Sequence, residues 1–218
     1  ALNEIVGFID LIRKYRQITP NAHLYQTSIE MITQVLSPVT PHICEELWEI
    51  LGHDGYLSSL KWPEYNSQYI NEKVEQHWNC YDNTISDIQN IQNLIDIESP
   101  NQVKLIIANS WKNEFVSQTL NMVKQGKNFG QIMKTSMENE AWRPYGKMIK
   151  NMIGKISRNP GKYAIPFESQ QKELKFFQKN KPLMQRELNI SIKILSEEEA
   201  SAKKKNQAMP GRPAILIE

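Results

Sequence analysis

Apolar positions recur at helical spacing along most of the chain and at strand spacing in a few short stretches of its second half. Leu2, Ile5, Val6, Ile9 and Ile12 lie three and four apart and predict a first helix with one buried face. A second helix is expected over 20–36, with Tyr25, Ile29, Ile32 and Leu36 as its stripe and Pro20 near its first turn, where a missing N–H costs least. The stretch SPVTPHICEELW (37–48) then reads as a corner. Pro38 ends the second helix, Thr40 and Pro41 suit the N-cap and first position of a third, and Gly52 ends that one. Ile43, Leu47 and Ile50 are expected on its inner face. A long helix over 67–97 carries the seam Val74, Trp78, Tyr81, Ile85 and Ile88, whose steps of four and three keep one face toward a partner. These four helices are expected to pack antiparallel around one core.

The pattern changes after ESPN (98–101). VKLIIA (103–108) is an apolar run rich in Val and Ile and predicts a buried strand. Helices are expected over 112–124, 129–138, 145–158 and 168–187, and NISIKIL (189–195) alternates as a half-buried strand does. A polar stretch, about 198–212, reads as a mobile linker that a bound partner would order, and AILI (214–217) as a last strand. The expected fold class is mainly α with a small α+β part. A helical bundle, truncated at its N-terminal side, spans 1–98, and a small α+β domain spans 99–218. Residue 1 is not methionine and the first helix has no start signal, so the chain reads as a piece of a longer protein. The missing part is expected to leave an apolar groove that favours self-association.

Charge sharpens this division. Residues 1–109 hold six basic and fourteen acidic side chains, net −8, and residues 110–218 hold twenty and ten, net +10. The basic half is a candidate for binding a polyanion. No apolar run approaches the roughly 18 residues of a membrane helix. With no secretion signal, the two cysteines, Cys44 and Cys80, read as reduced thiols of a cytoplasmic protein.

Catalytic and metal chemistry find little support. His42 with Cys44 and His77 with Cys80 lack the tight pair spacing of zinc sites, and ordinary helix residues are the better reading. No phosphate-loop, dinucleotide or nucleophile-elbow motif is present. The helix over 145–158 is more informative. Tyr145, Met148, Ile149, Met152, Ile153 and Ile156 fall on one side; Lys147, Lys150 and Arg158 fall opposite, with Lys155 on the flank. Exposed lysines usually mark a solvated face, but this ridge has no interleaved acid and lies in the basic half, which points to phosphate binding through charge. A second row, Lys172, Lys175 and Lys179, is interrupted by Glu173. Trp111 and Lys112 follow the first strand, where packing is the default for the ring.

LSPVTPHICEELW (36–48) resembles the anticodon-binding domain of class I aminoacyl-tRNA synthetases of the leucyl, isoleucyl and valyl group, over the pattern L-x-P-x-x-P-H-x-x-E-E-L-W. SLKWPEY (59–65) is similar to the segment that follows it there. VKLIIANSWK (103–112), the basic helix and PGRPAILIE (210–218) resemble the C-terminal domain of the archaeal and eukaryotic-type leucyl-tRNA synthetases. The resemblance implies an aminoacyl-tRNA ligase that joins leucine to its tRNA using ATP with Mg. It places the catalytic domain, with its H-I-G-H and K-M-S-K-S motifs, upstream. Neither motif occurs in these 218 residues. The expectation is therefore a tRNA-binding part with no catalytic residues, metal or cofactor of its own. Its partners would be leucine tRNA and the upstream catalytic domain, with no membrane.

The resemblance also implies a docking target. Leucine tRNAs share a long variable arm, and in the archaeal-type enzymes the C-terminal domain docks on it, with the last residues reaching the bases at its tip. Carried over, Ile217 and Glu218 would be the base-reading end, with Arg212 nearby; a carboxylate suits exocyclic amino groups. Lys147, Lys150, Lys155 and Arg158 would position the RNA, and Lys112 joins them as a candidate contact. Two alternatives stay open: the same region of a valyl or isoleucyl enzyme, and a non-enzymatic helical module that binds protein.

Overall fold

A computed structural model describes residues 2–18, 20–64, 66–95, 100–163, 165–201 and 203–218. The described residues are mainly helical and include one small three-stranded sheet. The end of the expected long helix at 96–97 and the boundary at 98–99 lie outside them. The chain divides into compact units at 70/71.

In the first unit, α1 (Leu2–Gln17), α2 (Ala22–Leu36) and α3 (Pro41–Ile50) follow one another through short turns. Asn21 caps α2 by accepting from the Leu24 N–H at 3.0 Å, and the Tyr15 hydroxyl accepts from the Asn21 N–H at 2.8 Å. Ile32 is buried in the α2 stripe as expected. On α3 the buried face is Cys44 and Trp48, while Ile43 (60%) and Ile50 (78%) are exposed. The expected inner face is thus corrected. A ten-residue helix with apolar groups all round does not declare which stripe faces in. Trp48 stacks on His53 at 3.8 Å, and His53 Nε2 meets Glu30 on α2 at 3.0 Å. The Glu45 carboxylate accepts from the Leu57 and Ser58 N–H groups at 2.8 and 3.0 Å, and these bonds lower its pKa. So the carboxylate and indole of the PHICEELW corner hold the turns that follow it. Thr40 starts α3 but makes no side-chain cap; its hydroxyl reaches back to the Leu36 carbonyl.

The long helix α4 (Glu72–Ile95), expected in a bundle with α1–α3, falls in the second unit. Its seam is buried at Tyr81, Ile85 and Ile88 as expected. Its partner is α8 (Gln170–Leu188): the Tyr81 hydroxyl donates to Glu187 at 3.0 Å and Trp78 packs edge-on against Phe176. Periodicity shows that a face is buried but carries no address for what buries it.

The sheet has the order β2–β1–β3, built from β1 (Gln102–Ile107), β2 (Ser191–Ser196) and β3 (Ala214–Ile217). β1 runs parallel to β2, Val103 opposite Ile192, and antiparallel to β3, Val103 opposite Ile217. The central strand β1 is buried over most of its length and is rich in Val, Leu and Ile, with half-buried Lys104 interrupting the run. Val103, Leu105, Ile106 and Ile107 are all at most 1% exposed. The parallel pair needs a long crossover, supplied by α5 (Ser110–Lys124), α6 (Phe129–Glu138), α7 (Gly146–Arg158) and α8. Phe115, Ile132, Trp142, Ile149, Ile153 and Ile156 form the core between α5, α6 and α7.

The stretch 198–212, expected as a mobile linker, holds buried anchors among its described residues. Ala200, Ala208 and Met209 are buried, and Met209 joins the α5–α7 core. Met209 and Arg212 exchange backbone bonds of 3.0 and 2.8 Å around Gly211, whose φ of +70° suits glycine. Polar composition hid these small anchors. Gly211 is held further: its carbonyl accepts from Cys80 Sγ at 3.0 Å, and its N–H donates to Glu173 Oε1 at 3.2 Å. Burial raises the Cys80 thiol pKa.

Glu173 is fully buried and, among the described residues, its Oε2 has no hydrogen-bond partner; burial pushes its pKa up to about 8. The folded state therefore keeps a proton that the unfolded chain gives up near the ordinary carboxylate pKa. Stability from this group is full at acid pH and is lost as pH rises toward 8. Glu173→Gln should remove that loss. Thermal melts are expected to show Glu173→Gln gaining on the parent protein between pH 5 and pH 8. A constant difference across that range would mean Glu173 is ionised in the fold.

Candidate nucleic-acid interface

Helix α7 is set by its two faces. Ile149, Met152, Ile153 and Ile156 are each at most 4% exposed against α5 and α6, which leaves Lys147, Lys150, Lys155 and Arg158 in solvent. The structure brings these four together along one open groove of about 770 Å³. Phe129, Tyr145, Asn151, Asn206 and Gln207 also line it, and among the described residues no acidic side chain does. Such a surface attracts a polyanion along its length.

Two exposed rings complete the groove. Phe129 is 41% exposed at the first position of α6. Its backbone is fixed by a capping box: Asn128 Oδ1 accepts from Gln131 N–H and Gln131 Oε1 accepts from Asn128 N–H, both at 2.9 Å. Tyr145 is 37% exposed and stacks face to face on Trp111, with ring centres 4.6 Å apart. Trp111 in turn tilts against buried Phe115, so packing holds as its role. Sequence reasoning placed Tyr145 on the buried side and assigned Phe129 no role. Neither ring carries a local signal, because the groove forms only when α6, α7 and the 203–207 turn converge.

The other sequence candidates lie elsewhere. Lys112 is fully buried and beyond an RNA's reach, which corrects the expectation of a tRNA contact. Its Nζ donates to Glu197 Oε1 at 2.9 Å and to the Ala208 and Asn206 carbonyls at 2.8 and 3.2 Å. Burial lowers its pKa and the Glu197 pairing opposes that. Lys112 instead pins the segment whose Asn206 and Gln207 form the groove's rim. Arg212 pairs with Asp87 on α4 at 3.0 Å. Ile217 sits in edge strand β3, and Glu218 continues its pairing, exchanging backbone bonds of 3.1 and 2.9 Å with Gln102. The Glu218 carboxylate accepts from Lys104 Nζ. In the second basic row, Lys172 pairs with Glu168, which Lys73 also meets at 3.0 Å, and these two lysines hold the Glu168 carboxyl down at about 2. That row is partly neutralised, whereas among the described residues no ion pair meets the α7 ridge.

The weak metal pairs come apart as well. His42 is exposed while Cys44 is buried, His77 Nε2 bonds the Pro166 carbonyl, and Cys80 donates to Gly211.

Residues 1–107 match the family model for the anticodon-binding domain of tRNA ligase. These residues belong to that domain family. Relatives similar along most of the chain carry the name leucine–tRNA ligase. That of Methanocaldococcus jannaschii is 30% identical over 200 residues, 91% of this chain and 20% of that protein. That of Methanococcus vannielii is 33% identical over 190 residues, 87% of this chain and 19% of that protein. That of Pyrococcus abyssi is 33% identical over 185 residues, 85% of this chain and 18% of that protein. The chain thus spans about a fifth of the length of these relatives. In the PHICEELW corner, Glu45 and Trp48 anchor the turns that follow it.

The buried pin behind the groove is open to test. Lys112→Met strands the Glu197 carboxylate without its cation, and breaking a buried pair from one side costs about 3–5 kcal/mol. Urea unfolding of Lys112→Met is expected to show a loss of that size. A loss within the roughly 1 kcal/mol of a surface pair would contradict the buried geometry.

Proposed function

We propose that this chain is the tRNA-docking part of a leucine–tRNA ligase, and that the α7 groove is where the RNA backbone lies. The observation that carries this is the groove itself: four cations on one helix, no acid among its described lining residues, and two exposed rings beside them. The leucine assignment is supported by the relatives' names, and the long variable arm as the docking target by the resemblance of residues 103–112 and 210–218. In the whole ligase, an upstream catalytic domain would join leucine to tRNA with ATP and Mg, in the cytoplasm. No step of that reaction is assigned to residues of this chain. Among the described residues no helix is long and apolar enough to cross a membrane.

Ile217 and Glu218 remain proposed base-reading residues, on the resemblance. For Glu218 this role competes with its Lys104 partner, which a base's exocyclic amino group would have to displace. Arg212 would act near them and would likewise exchange Asp87 for phosphate.

The test is binding of this chain to a leucine tRNA transcript and to the same transcript with a shortened variable arm. Affinity should fall with the shortened arm and the difference should persist at physiological salt. Lys150→Glu with Lys155→Glu should weaken binding to the intact transcript and lower the slope of log affinity against log salt by about 1 for each phosphate no longer neutralised. Equal affinity for both transcripts, vanishing with salt, would reduce the groove to a nonspecific basic surface.

A further inference from the structure

The groove holds more than phosphate binding requires. Lysines and an arginine suffice to track a sugar–phosphate backbone, and rings add nothing to that contact. Tyr145 nonetheless lines the groove at 37% exposure, one face covered by Trp111 in a near-parallel stack of 14°. The pair is a stack with one open end. Phe129 borders the same groove, also exposed. Exposed amides, Asn151 and Asn206 among them, add paired donors and acceptors beside the rings. Cations, an open-ended ring stack and amides together match one ligand chemistry, an unstacked nucleotide. Its base presents a π face, its edge offers donors and acceptors, and its phosphates carry the charge.

We propose that the groove receives an unstacked nucleotide of the docked tRNA, its base laid on the open face of Tyr145 and its flanking phosphates on the α7 cations. This rests on the reading that the groove docks tRNA, and it adds that a base leaves the RNA stack to do so. Trp111 is then a positioning residue: packed behind Tyr145 against Phe115, it keeps that ring's plane fixed. Such a contact tolerates different bases, because every base has a π face.

The experiment uses leucine tRNA transcripts carrying 2-aminopurine at successive unpaired positions. Its fluorescence changes when the base stacks. With the unsubstituted protein, one or a few positions should respond on binding. Tyr145→Phe should keep both response and affinity. Tyr145→Leu should abolish the response and weaken binding roughly tenfold, within the range found for single base–ring stacks. If Tyr145→Leu weakens neither, while Lys150→Glu with Lys155→Glu still weakens binding, the groove holds backbone alone and this inference fails with the docking reading intact. If the lysine reversals also have no effect, the docking reading itself fails. Should Tyr145→Leu lose its thermal transition, the unsubstituted protein decides: no response at any unpaired position overturns the proposal.

Discussion

One buried ion pair organises the second unit. Glu197, just past the end of β2, accepts from Lys112 Nζ with one carboxylate oxygen and from the Asn109 N–H with the other, at 2.9 and 2.8 Å. Lys112 spends its other donors on the Ala208 and Asn206 carbonyls. Two charges taken out of water persist only when their remaining bonds are satisfied, and here they are. The pair fixes three things at once: where β2 ends, where α5 begins, and where the 203–209 segment crosses behind them. The groove's rim follows from the last of these.

A second set of contacts holds the same segment at its far end. The Gly211 turn is gripped by Cys80 on α4 and Glu173 on α8, and Arg212 beside it pairs with Asp87. Between these anchors the chain has little freedom, so β3 is delivered to β1 in one register. A strand of four residues has weak register preference of its own. Fixing the approach supplies what the strand lacks. The uncharged state of Glu173 fits this arrangement, since an ionised carboxylate there would have a single backbone donor to offset its burial.

Legibility in the sequence followed locality. The span of α6, the two faces of α7 and the apolar run of β1 are readable because each depends on neighbours within a turn or on a short run of buried Val, Leu and Ile. The partner of α4 is not, since Trp78, Tyr81, Ile85 and Ile88 would look the same against any apolar surface. Lys112 misleads for a related reason. A lysine in a basic half reads as surface charge until Glu197, 85 residues away, is known to face it. Ile43 and Ile50 misled in the opposite direction, because the PHICEELW corner works through Cys44, Glu45 and Trp48. Lys147, Lys150, Lys155 and Arg158 converge in the groove because they share one helix. Phe129 and Tyr145 needed the assembled fold to be seen beside them.

The groove and the pin behind it are electrostatically linked. Lys155 borders the groove, and its charge also acts on Lys112, adding to the burial that disfavours the Lys112 cation. Like charges on one helix face repel, so the ridge costs stability for as long as nothing neutralises it. On the proposed reading, a docked phosphate would relieve both together, screening the ridge and, through Lys155, favouring the cationic form of Lys112 that pairs with Glu197. Anything that binds the folded state alone stabilises it by mass action. On the proposed docking, that stabilisation would have a structural route, from phosphate through Lys155 to the pair that sets the rim.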